Sequence, residues 1–126
     1  DHRDLHSFPT RRSSDLASHS IGAPVIELHT GAWCDALAHG ETERAAAEFE
    51  RIRTAAAFTR ELGIECHAGH GLDFDTARTI SALPEIVELN IGHFLIGEAI
   101  FVGLAAAIAQ MRKAMQDGRA AGETKI

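Results

Sequence analysis

Residues 64–72, Ile64-Glu65-Cys66-His67-Ala68-Gly69-His70-Gly71-Leu72, hold a strand and its exit in nine positions. Side chains alternate across an extended chain, so Ile64 and Cys66 share one face and Glu65 and His67 the other. Gly69 and Gly71 then flank His70, leaving a loop with little side-chain bulk. Upstream, Val25-Ile26-Glu27-Leu28-His29 repeats the design, with Ile26 and Leu28 opposite Glu27 and His29. Downstream, Ile86–Ile91 sets Val87, Leu89 and Ile91 opposite Glu88 and Asn90.

Helices separate these strands. Residues 41–62 are rich in helix formers, with Phe49, Ile52, Ala56 and Leu62 as an apolar stripe and Gly63 at the C-terminal cap. Asp73 and Asp75 precede a short helix over residues 76–81. One long helix is expected from Phe94 to about Gln116, with Phe101, Leu104, Ile108, Met111 and Met115 as the seam that packs on a sheet. The tail DGRAAGETKI, residues 117–126, reads as polar and frayed. Ile21-Gly22-Ala23-Pro24 reads as a helix exit and turn. Strands alternating with helices imply parallel pairing with right-handed crossovers.

A doubly wound open sheet tends to be apolar on both faces, whereas the inside of a barrel can be polar near its mouth. Glu27, His29, Glu65, His67, Glu88 and Asn90 would then point inward. The expected fold is α/β, an incomplete TIM-type (β/α)8 barrel made of its C-terminal three βα units. A whole barrel needs ~250 residues.

Composition narrows the function. The net charge of -6 over 126 residues argues against a nucleic-acid binder, though a local anion pocket remains compatible with it. No apolar run is long enough to span a bilayer, and no stretch of the sequence reads as a secretory signal. Two cysteines, Cys34 and Cys66, make no disulfide framework, and free thiols in the cytoplasm are expected. Trp33, Cys34 and the two methionines read as packing residues.

The first sixteen residues, DHRDLHSFPTRRSSDL, do not share this pattern. They read codon by codon as a translated DNA-sequencing adapter. Residues 1–16 are therefore expected to be an assembly artefact, disordered and outside the domain, with residues 17–126 forming the barrel fragment. The segment's three acids and three bases cancel, so the charge of the remainder is unchanged.

Two strand exits carry candidate chemistry. In AGHGL, residues 68–72, the glycines let backbone approach a ligand, and His70 can exchange a proton near neutral pH. A histidine that only caps a turn fits the same pattern. In NIGH, residues 90–93, a strand runs straight into a helix, whose first N–H groups attract phosphate. A glycine serving only the turn fits equally. Glu27 at a barrel mouth could stabilise a cationic intermediate or form a salt bridge. His29, His67, His70 and His93 show no local ligand spacing, so no metal is expected.

Taken together, GAPVIELHTG (22–31), ELGIECHAGHGL (61–72) and LPEIVELNIGHFLIGEAIFVGL (83–104) resemble the pyridoxine 5'-phosphate synthase family, from about Gly22 to Met115. The resemblance implies a β/α barrel with extra helices and a homo-octamer. It implies condensation of 3-amino-2-oxopropyl phosphate with 1-deoxy-D-xylulose 5-phosphate to give pyridoxine 5'-phosphate, inorganic phosphate and water, with no cofactor. By the same resemblance His70 is the proton donor and Glu27 stabilises the transition state. Gly71 contacts the amino-ketone, and Gly92 with His93 holds it, an arrangement that suits its phosphate. The family's proton-accepting bases and substrate arginines lie in the other half of its barrel, so the chain alone is expected to be inactive; turnover of both substrates by the purified chain would refute that. Without the resemblance, another phosphate-binding barrel enzyme (isomerase or aldolase) or a non-catalytic phosphate-binding module also fits.

Overall fold

The structure, a computed structural model, describes the backbone of residues 5–8 and 12–14 and the whole of residues 15–124. Four strands form one parallel sheet in the order β1 (Leu5–Phe8), β2 (Val25–His29), β3 (Glu65–Gly69) and β4 (Ile86–Asn90). Six helices accompany them: α1 (Arg12–Ser20), α2 (Gly31–Ala38), α3 (Thr42–Glu61), α4 (Phe74–Ser81), α5 (His93–Val102) and α6 (Leu104–Glu123). The α/β class and the parallel pairing are as read from the sequence.

The core lies where period-two and period-3.6 faces meet. Ile26, Leu28, Cys66, Ala68 and Ile86 from the strands join Ile52, Ala55 and Ala56 of α3 in one buried cluster. Trp33 is buried with its ring 5.2 Å from Phe49, which makes it a packing residue as expected. Gly22, with φ of 75°, supplies the expected turn between α1 and β2.

The opening segment differs from the sequence expectation. Leu5–Phe8 pairs in parallel with Val25–Leu28, and residues 12–16 start α1. An edge of β2 offers unpaired backbone groups, and any extended chain can satisfy them. Residues 1–4 and 9–11 lie outside the described residues. The strand concerns backbone pairing and leaves the codon match of residues 1–16 untouched.

Three further readings are corrected. Where β3 pairs with β4 the register shifts by one: Cys66 pairs with Ile86, but His67 pairs with Glu88. The bulge takes up Val87, so Ile86 turns into the core and Val87 is 62% exposed rather than buried. The long helix is two helices, broken at Gly103, whose φ of 84° and ψ of 152° suit glycine alone.

The third correction concerns α6. Its buried face is Ala107, Met111, Ala114 and Gly118, while Phe101, Leu104 and Ile108 of the expected seam are exposed. Small residues win because α6 packs closely on α4. A Cβ at Gly118 would lie 1.9 Å from the Arg78 carbonyl oxygen, and one at Gly122 2.3 Å from that of Ala82. Arg119 donates to the carbonyls of Leu83 and Ile86 at 2.9 and 2.5 Å. The expected frayed tail is thus helical to Glu123, held by glycine contacts and one guanidinium; Lys125 and Ile126 lie outside the described residues. On α5, apolar all round, no residue is buried.

Candidate active site

The strands end at a common rim, and three kinds of restraint shape it. Thr30, fully buried, follows β2. Its N–H donates to the Gly69 carbonyl at 2.8 Å, and its hydroxyl is shared between the carbonyls of Gly69 and His70 at 2.8 and 2.6 Å. The exit of β3 is thereby pinned to the exit of β2. At the far end of the loop, Asp73 and Thr76 form a reciprocal capping box at the start of α4. Between these anchors His70 adopts φ of 86°, a conformation side chains other than glycine rarely take. Such strain persists only where surrounding bonds over-determine it.

Gly69 is the second device. It sits between β2 and β4 with no side chain, and Glu27 reaches across it, Oε2 accepting from Asn90 Nδ2. A Cβ at Gly69 would meet the Asn90 carbonyl oxygen at 2.9 Å and Glu27 Oε1 at 3.1 Å. Only glycine leaves this passage open.

The third is the start of α5. Gly92 is its N-cap, and no side chain caps the helix, so its leading N–H groups are free of side-chain acceptors. Phe94, two residues further on, meets Phe74 of α4 edge to face at 4.9 Å.

One cleft of about 850 Å³ collects these parts. Glu27, His70, Gly71, Gly92 and His93, the five residues singled out from the sequence, all line it, together with Asp73 and Asn90. Asn90 was assigned only to the polar face, and Thr30 only to the strand's end; their hydrogen bonds are tertiary and leave no local signature. His29 stands beside the cleft with its ring 4.1 Å from that of His70. Burial, then the neighbouring His70, pushes its pKa below the ordinary 6.5, against an opposite pull from Glu27.

Deeper on the same face, His67 is buried, with Nε2 2.7 Å from Glu65 and Nδ1 3.6 Å from Glu88. Both cysteines are free, and burial raises each thiol, that of Cys66 to about 12, which suits packing rather than nucleophilic work. Among the described residues no group of three or more His, Cys, Asp or Glu side chains could hold a metal ion, and no helix is long and apolar enough to cross a membrane.

The family model described as "Pyridoxal phosphate biosynthesis protein PdxJ" matches residues 9–117. The chain belongs to the PdxJ family. Curated relatives named pyridoxine 5'-phosphate synthase agree. That of Xanthobacter autotrophicus is 61% identical over 105 residues, covering 83% of this chain and 41% of the relative. That of Bradyrhizobium diazoefficiens is 60% identical over 99 residues, covering 79% and 40%. That of Roseobacter denitrificans is 60% identical over 104 residues, covering 82% and 42%. The chain thus spans about two-fifths of the length of these PdxJ relatives.

Proposed function

We propose that the cleft is the phosphate-holding and proton-donating side of a pyridoxine 5'-phosphate synthase site. The enzyme so formed would condense 3-amino-2-oxopropyl phosphate with 1-deoxy-D-xylulose 5-phosphate, giving pyridoxine 5'-phosphate, inorganic phosphate and water. The observation that carries the reading is the gathering of Glu27, His70, Gly71, Gly92 and His93 around one cleft, beside an uncapped helix start.

Each part has a chemical use. The free N–H groups at the start of α5 and its dipole favour a phosphate, with His93 at the first helical position beside it. Gly71 lets the amino-ketone lie close to backbone. Joining an amine to a ketone expels water and passes through a cationic imine; the Glu27 carboxylate, oriented by Asn90, would stabilise that charge. His70, on a loop pinned by Thr30, would hand a proton to the departing oxygen.

The rest of the reading follows from family membership: a TIM-type (β/α)8 barrel to which this chain contributes C-terminal units, a homo-octamer and a cytoplasmic location. We also infer that residues 1–16 are foreign to the domain, although the family match opens at residue 9. Its supports are the codon match and the buried acid Asp15, whose Oδ2 has no hydrogen-bond partner among the described residues. Resequencing the coding DNA upstream of Ala17 tests it, and an unbroken natural reading frame there would overturn it.

The site reading is tested by titrating inorganic phosphate into the protein while recording amide spectra. Saturable shifts at Gly92, His93 and Phe94, weakened by His93→Ala, are expected. A weak, unsaturable response spread over the whole surface would refute it.

A further inference from the structure

We propose that His29 is a positioning residue for His70: the two stacked imidazoles hold one positive charge between them, on His70, while His29 stays neutral. This rests on the proton-donor reading of His70. Geometry carries it. The ring centroids are 4.1 Å apart with planes tilted by 32°. The Gly31 N–H points to His29 Nδ1 at 3.3 Å. An acceptor nitrogen must keep its lone pair, so the neutral ring bears its hydrogen on Nε2, and a proton on Nδ1 would cost this bond. The pair is also fitted closely to the start of α2: a Cβ at Gly31 would lie 2.7 Å from His29 Cε1 and 3.6 Å from His70 Cδ2.

Charge follows from that placement. Two imidazolium rings in contact repel, so the second proton is disfavoured once the first is bound. The downward push on His29 agrees in direction. The other titratable groups facing the pair are Glu27 from β2, Asp73 and His93 across the cleft, and Cys34 and Asp35 from α2 beside His70. The acids among them favour one imidazolium without needing two. A neutral His29 then serves as the flat wall that fixes the His70 ring plane, while Thr30 fixes its backbone.

The test uses the full chain and nitrogen-detected imidazole spectra from pH 5 to pH 8. His29 is expected to show an unprotonated, hydrogen-bonded Nδ1 and to titrate below the ordinary histidine value. His70→Asn keeps a residue that tolerates positive φ, and it should raise the His29 midpoint. His29→Phe should keep the His70 ring ordered by stacking, and His29→Ala should release it. A His29 midpoint unmoved by His70→Asn, or a neutral His29 carrying its hydrogen on Nδ1, would overturn the proposal. No substrate enters these readouts, so they stand or fall separately from the phosphate titration that tests the cleft.

Discussion

Replacing Asp15 by asparagine should stabilise the protein above pH 6 and change it little below pH 4. Asp15 is 1% exposed, and its Oδ2 has no hydrogen-bond partner among the described residues. Burial raises its carboxyl from 3.8 to about 6. In the unfolded chain it keeps the ordinary value. Below 3.8 both states are protonated and the group is neutral to stability. As pH rises the unfolded state ionises first, so stability falls between the two values and stays lowered above about 6. At 1.36 kcal/mol per tenfold step, the ceiling on this loss is about 3 kcal/mol. Water in the adjoining groove of about 420 Å³ between α1 and α3 brings it to ~2 kcal/mol. Asparagine keeps the shape and never ionises. Urea unfolding at pH 4 and pH 8 checks the point: the variant's midpoint should rise relative to the parent by about 1–2 M at pH 8 alone, for a slope of ~1–2 kcal/mol/M. A difference between variant and parent that is the same at both pH values would refute the buried-carboxylate argument.

Other outcomes follow from the site and the helix packing. Thr30→Val removes the hydroxyl shared by the Gly69 and His70 carbonyls; a loss of about 1–3 kcal/mol in urea unfolding is expected, with faster amide exchange at Gly71 and Leu72. Gly69→Ala closes the passage between Glu27 and Asn90, so the Asn90 side-chain amide signals should move to positions typical of solvent while phosphate binding at α5 weakens only modestly. Gly118→Ala forces α6 away from the Arg78 carbonyl and should cost about 1–3 kcal/mol, whereas alanine at the open Gly97 position, where a Cβ meets nothing within 4 Å, should leave the thermal midpoint unchanged or higher.

The sequence made the site more legible than the frame around it. His70, Gly71, Gly92 and His93 follow the ends of β3 and β4, and parallel strands all exit on one side; alternation put Glu27 on the polar face of β2, while the choice of these five as a set came with the family resemblance. Val87 escaped that reasoning because the bulge takes one residue out of the alternation, so that Ile86 and Leu89 both pack on the core while Val87 is left exposed, and nothing local to Ile86–Ile91 encodes the bulge. The α6 seam failed for a different reason. Apolar periodicity marks which face could be buried, but the available partner was the backbone at α4, which Gly118 and Gly122 approach more closely than a Cβ would allow, while Leu104 and Ile108 are left exposed. The helix end failed likewise: Arg119 reads as solvent-facing until the carbonyls of Leu83 and Ile86 are known to lie beneath it. Thr30 acts through carbonyls 39 and 40 residues away, and Gly69 through Glu27 and Asn90 on the neighbouring strands, relations that alternation does not record.

The pairing of Leu5–Phe8 with β2 has a wider meaning. A hydrogen-bond ladder recruits by backbone and reads no side chain, so an extended tract of any composition can close a vacant border. Fit is decided in the next layer, where side chains must agree with their surroundings. Asp15, an acid taken out of water between α1 and α3, is the place where that agreement is weakest.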